Sequence, residues 1–168
     1  MKNLIYRPAE QADLSELREF SIRTMVEKFG HIYQKEDLDQ HLAEDYSPEY
    51  HQQAFKNSNL LLVTDKSKII GYAKWGEMGL PLEKPITPCG EVHRLYVDDA
   101  YRGQKIGHTL MQHMMEDMAE KKAIYLSVFS ENKGAHRFYH RYGFSKKGEY
   151  KYMVGSHADH EFIYGLER

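Results

Sequence analysis

The sequence predicts an α/β (α+β) domain, a mixed sheet flanked by helices, and three observations lead there. Apolar runs of strand character alternate with segments of helical spacing in the order β-α-α-β-β-β-α-β-α-β-β. Two β-rich runs flank Asp65-Lys66-Ser67-Lys68, which is a hairpin signal. From Leu95 to Gly107, LYVDDAYRGQKIG, a strand runs through a loop with two glycines into a helix start. The last pattern is an anion-binding device. The first N–H groups of a helix lack intrahelical partners, and the helix dipole favours negative charge there.

The elements follow in order. Asn3 to Arg7 reads as a strand stopped by Pro8. Asp13 with Glu16 fits a capping box, and Leu14, Leu17, Ile22, Met25, Val26 and Phe29 form a helical stripe closed by Gly30. Residues 34–57 carry Leu38, Leu42, Tyr46, Tyr50 and Phe55 at roughly helical spacing, broken at Ser47–Pro48, so one or two short helices are expected. Strands are expected over 60–64 and 69–75, then a mobile loop with three prolines over 76–90, then a strand over 91–97. A helix over about 104–121 has Ile106, Leu110, Met114 and Met118 inward. The chain closes with a strand over 124–129, a helix over 133–142 and two strands from Phe144 to Leu166.

Composition narrows the class. At 168 residues the chain is expected to form a single domain over 1–168, with no repeat. A net charge of −2 and a pI near 6.6 argue against a nucleic-acid binder. Lys146, Lys147 and Lys151 read as a solvated edge. The single cysteine, Cys89, cannot form an internal disulfide, and no apolar run approaches membrane-spanning length. A cytoplasmic location, with no membrane partner, is the expectation.

Three nucleotide-type sites compete for the loop. A phosphate-binding loop needs GxxxxGK followed by Ser or Thr, which is absent. A dinucleotide fingerprint needs GxGxxG after a first strand, and the spacing and position here are wrong. In the third, Arg102, Gly103, Gln104, Lys105, Ile106 and Gly107 fill the six positions of an Arg/Gln-x-x-Gly-x-Gly/Ala loop, with Lys105 at the first glycine. Asn132 after YLSVFS, the stretch AHRFYHRYGF from Ala135 to Phe144, and the opening IYRPAEQADL accompany it. With these the sequence resembles the GCN5-related N-acetyltransferase (GNAT) superfamily. More loosely, SIRTMVEKFG, EVHRLYV and KYMVGSHADHEFIYGL are similar to PaiA-type polyamine acetyltransferases.

The resemblance implies the GNAT fold, a mixed, mostly antiparallel central sheet of about seven strands flanked by about four helices. It implies acetyl-CoA as co-substrate, held by Leu95, Tyr96, Val97, Arg102, Gly103, Gln104, Lys105, Ile106, Gly107, His108, Asn132, Phe138 and Tyr139. Lysine at 105 is expected to fit because the first turn of a helix has an ordinary helical φ, with its charge directed outward. The chemistry sets the remaining roles. An alkylamine has a pKa of about 10.4 and must lose a proton before it attacks a thioester. The resemblance makes Tyr139, in FYxxxGF, the general acid, and the Val97 N–H the donor to the thioester carbonyl. Glu91 matches an acidic position that serves as the water-linked base, with His93 as the alternative. Period-2 alternation would put Glu91, His93 and Leu95 on one face, with Arg94 and Tyr96 on the other.

The plainer roles stand beside these. Tyr139 could be a core aromatic, Asn132 a helix N-cap and Glu91 a strand-edge carboxylate. His136 and His140, and His157 and His160, lack a cysteine cluster or an HExxH pattern, so no metal is expected. Trp75 reads as packing. Asp37, Asp39, Glu44, Asp45 and Glu49 form an acidic stretch that could draw a cationic acceptor or simply be solvated. The acceptor implied is a polyamine or other small primary amine, followed by peptide or protein amino groups. A rival of another class is a non-catalytic acyl-CoA sensor. A homodimer through the last strands is the one protein partnership the fold invites.

Overall fold

A computed structural model describes residues 3–168. The strands are β1 (Leu4–Pro8), β2 (Asn59–Asp65), β3 (Lys68–Gly76), β4 (Cys89–Val97), β5 (Ala123–Phe129), β6 (Ser145–Val154) and β7 (His157–Glu167). They form one seven-stranded sheet in the order β1-β2-β3-β4-β5-β7-β6. Every neighbouring pair is antiparallel except β4 and β5. The helices are α1 (Leu14–Phe29), α2 (Lys35–Asp45), α3 (Pro48–Asn57), α4 (Ile106–Asp117) and α5 (Lys133–His140). Among the described residues there are five α-helices, because the expected helical stretch over 34–57 breaks in two at Ser47. Its side chain accepts the Tyr50 N–H at 3.0 Å, and Pro48 occupies the first helical position.

The sheet separates two apolar layers. On one face Ile106, Leu110, Met111 and Met114 of α4 pack on Val92, Ile124 and Leu126, and Phe138 and Tyr139 of α5 join them. On the other, Leu14, Leu17 and Phe20 of α1 pack on Leu62, Ile69 and Tyr72. Burying each such side chain stabilises the fold by roughly 1.5–3 kcal/mol. A third cluster, Tyr125 with Ile163, lies under Met78, Leu80 and Leu82 of the 77–88 loop. That loop, expected to be mobile, is tied down three times. Gly79 N–H donates to Glu91 at 2.7 Å, Ile86 N–H donates to the Tyr125 hydroxyl at 2.9 Å, and His93 bonds the Glu77 carbonyl at 2.9 Å.

Several local expectations need correction. Asp13 accepts the Glu10 N–H at 2.7 Å and pairs bidentately with Arg7 at 2.7 and 2.8 Å, while Glu16 instead accepts the Ile69 N–H. The α1 stripe uses Phe20, Ser21 and Thr24, and Val26 is exposed. The Ser21 and Thr24 hydroxyls are buried there because they bond back to the Leu17 and Phe20 carbonyls. Helix α4 is shorter than expected, ending at Asp117. Lys66 and Ser67 both have positive φ, which matches the right-handed twist of the β2–β3 hairpin.

Candidate active site

The site begins where β4 and β5 part. Their pairing covers Cys89–Val92 against Ala123–Leu126 and then stops. Beyond it, residues 94–97 pair only with β3 and residues 127–129 only with β7. Two strand edges therefore face each other across a wedge, with N–H and C=O groups available to an extended ligand.

A register shift on the β3–β4 ladder, where Lys74 pairs with Arg94 but Trp75 with Val92, overturns the simple alternation along β4. His93 is the extra residue. Val92, Leu95 and Val97 face the α4 layer. Arg94 lies over the rings of Tyr46 and Tyr50, and Tyr96 packs on Tyr72 toward α1. Glu91 thus shares a face with Arg94 and Tyr96, not with Leu95. It is buried, and its Oε2 takes the Gly79 N–H and lies 4.0 Å from His93 Nε2.

The loop after β4 is the anion cradle. The Arg102 N–H donates to Asp99 O, but the N–H groups from Gly103 to His108 make no backbone hydrogen bond among the described residues. Gly103 has φ +76, and a Cβ there would meet nothing within 4 Å. Lys105 corrects another expectation: it has φ 60 and ψ 13, the left-handed region, so this turn does favour glycine. Its neighbours Arg102 and Gln104 are exposed, with Arg102 paired to Asp99 at 2.8 Å. Ile106 anchors the helix start in the core. Gly107 lies under Phe138, whose ring carbon would be 3.8 Å from a Cβ there. His108 stacks on Tyr142 and hydrogen-bonds its hydroxyl.

Helix α5 brings up the remaining groups. Asn132 accepts the Ala135 N–H at 3.1 Å and so caps α5. Tyr139 packs edge-on against Phe138 and Phe144, and its hydroxyl makes no hydrogen bond to another described residue. Burial, with the charge of Tyr96 adding to it, holds that hydroxyl protonated well above the usual tyrosine range. Burial also pushes Tyr96 up to about 12.

The acidic stretch is largely spoken for. Asp37 accepts the Ser156 N–H, Asp39 pairs with Lys35, and Asp45 accepts the Tyr152 hydroxyl and pairs with His41. Sequence reasoning missed a different carboxylate, Glu161 of β7, which accepts the Ser127 hydroxyl at 2.7 Å. Burial is the main cause that raises it to about 7. Among the described residues no group of three or more His, Cys, Asp or Glu is placed to hold a metal ion. Both nitrogens of His136 are engaged, with Tyr164 and with the Ser130 carbonyl. No helix among the described residues is long and apolar enough to cross a membrane.

A sequence model of the Acetyltransferase (GNAT) family matches residues 23–144, which contain the wedge, the cradle and α5. The chain belongs to that family. Spermine/spermidine N(1)-acetyltransferase of Bacillus subtilis is 37% identical to this GNAT chain over 59 residues, 33% of this chain and 39% of the relative's length. N-alpha-acetyltransferase RimI of Mycobacterium tuberculosis is 34% identical over 82 residues, 48% of each chain. The GNAT fold is shared with a crystal structure of PaiA N-acetyltransferase from Thermoplasma acidophilum in complex with coenzyme A. That match has a TM-score of 0.77 and 22% identity over 99% of both chains. Arabidopsis thaliana NAA60, in complex with a bisubstrate analogue, has a TM-score of 0.75 and 16% identity over 99% of both chains.

Proposed function

We propose that this GNAT chain transfers the acetyl group of acetyl-CoA to a primary amine, with a polyamine or other small amine as acceptor. One observation carries the proposal: the free N–H groups of residues 103–108 and the open edge of β4 lie beside Phe138 and Tyr139 of α5. The residues fit the coenzyme. The N–H groups of residues 103–108 suit its pyrophosphate, open space at Gly103 allows close approach, and the free edge at Leu95 and Val97 suits its extended arm. Tyr96, Asn132 and Phe138 complete that lining, and Lys105 and Arg102 add positive charge beside it. When bound, acetyl-CoA supplies an activated acyl thioester.

The chain's own groups have the remaining tasks. The Val97 N–H, on the β4 edge left open by β5, is assigned the developing oxyanion. Tyr139, kept protonated by burial, holds the proton a departing sulfur needs. The role of water-linked base is assigned to Glu91, with His93 as the alternative, although Glu91 also ties down the 77–88 loop.

The partial likeness to a spermine/spermidine acetyltransferase supports the small-amine acceptor. The longer overlap with an N-alpha-acetyltransferase favours a peptide amine as the second reading. Thiol release from acetyl-CoA, followed over polyamines, amino acids, aminoglycosides and short peptides, separates the two. Spermidine-dependent release supports the first reading and peptide-dependent release the second. Tight coenzyme binding with no release over the whole panel would identify a sensor and refute both.

A further inference from the structure

On the side of the wedge away from α5, one half-buried carboxylate makes no ion pair among the described residues. Glu161 of β7 is in register with Phe129 of β5 and Tyr150 of β6. Its neighbours Phe162 and Tyr164 face His136 of α5, so alternation turns Asp159, Glu161 and Ile163 to the opposite face. There Glu161 accepts the Ser127 hydroxyl at 2.7 Å, and the Ser127 oxygen accepts the Tyr150 hydroxyl at 3.0 Å. Among the described residues no Lys, Arg or His lies within 4.0 Å of its carboxylate.

The surroundings are aromatic, with two cations further out: Lys28 lies over the Tyr96 ring, and Arg94 is the strongest charge acting on Tyr96. Tyr33 before α2, Tyr96 of β4 and Tyr150 of β6 all feel the charge of Glu161, and Phe29 stands edge-on to Phe129. Asp159, only 4% exposed, accepts the Tyr33 hydroxyl on Oδ2, while its Oδ1 has no hydrogen-bond donor. The His157 imidazole Nε2 lies 3.3 Å from that oxygen. Burial pushes the Glu161 carboxyl up to about 7, Ser127 opposes it and Asp159 adds to it. Tyr96 interacts electrostatically with both Glu161 and Tyr139, and Glu161 is in register with Phe129 at the end of the β5 edge that borders the wedge.

We propose that Glu161 seats the ammonium group of the acceptor and takes its proton. This rests on the acetyl-transfer reading above. Tyrosine rings and an unpaired carboxylate are the chemistry that recognises an alkylammonium ion. In the step, R–NH3+ and the Glu161 carboxylate become R–NH2 and a carboxylic acid. One N–H bond breaks, one O–H bond forms, and the electron pair stays on nitrogen, ready to attack. Glu91 is less free for this task, since Gly79 and the neighbouring His93 already engage it.

The test is calorimetric titration of spermidine into protein saturated with coenzyme A, at pH 8 and pH 6, for wild type and E161Q. Glutamine at 161 still accepts from Ser127, so folding is preserved, and a melting curve checks it. Wild type should bind about tenfold more weakly at pH 6, as expected for a seat that titrates near 7. E161Q should bind at least tenfold more weakly than wild type at pH 8 and show little pH dependence. With acetyl-CoA, its kcat should fall on the order of 10²-fold. Spermidine binding equal in E161Q and wild type, or absent from wild type, overturns the inference. Wild type that binds spermidine through Glu161 but releases no thiol supports the seat and refutes the transferase reading instead.

Discussion

Lys105 marks the irregular point of the coenzyme loop. Its left-handed backbone is costly for any residue with a Cβ, by about 1 kcal/mol. Lys105→Gly should therefore raise unfolding free energy by up to about 1 kcal/mol in urea titrations, offset in part by the greater freedom of the unfolded chain. Lys105→Ala should leave stability nearly unchanged and keep coenzyme affinity within several-fold. The motif located this residue, but a dihedral angle depends on how the loop closes onto α4, which one residue type does not specify. Glu161 makes a second residue-scale prediction. Its carboxyl is raised from 4.5 to about 7, so between those values the native state binds more protons than the unfolded chain. Stability contributed there falls as pH rises through that window. E161Q should consequently gain melting temperature relative to wild type on going from pH 5 to pH 8. Nothing in HADHEFIYGL alone shows this carboxylate to be special. Its environment comes from Ser127, Tyr150 and Tyr33, at distant points in the chain.

Among the elements, α2, α3 and β4 show what local pattern does and does not reveal. Ser47–Pro48 reads directly as a helix start because capping chemistry is local, and Ser47→Ala should cost about 1 kcal/mol in chemical denaturation. The β6–β7 turn docks on α2 through Asp37, and Gly155 there has φ +57 with Asp37 Cα only 2.6 Å from a built Cβ. Gly155→Ala should cost more, roughly 2 kcal/mol by the same measurement, since both backbone and contact oppose it. The β4 register was harder to read. Alternation along EVHRLYV assumes an unbroken period, whereas the extra residue at His93 arises from pairing with β3. That one residue moves Glu91 onto the face of Arg94 and Tyr96.

For the whole molecule, the element order suffices to anticipate a mixed sheet flanked by helices, whereas the sharing of one face by α4 and α5 shows only in the packing. The parting of β4 from β5 is a property of three strands and two loops together, and no single segment announces it. Its consequence is a cradle, an open strand edge and a tyrosine brought to one wedge from residues 93–108 and 132–144. The most direct test of that arrangement is the steady-state rate of Tyr139→Phe with acetyl-CoA and a saturating amine, alongside its affinity for coenzyme A. The hydroxyl is proposed to act only as a proton donor. Affinity should therefore stay within several-fold while kcat falls on the order of 10²-fold. A kcat within twofold of wild type would contradict the assignment of the wedge as the site of acetyl transfer through Tyr139.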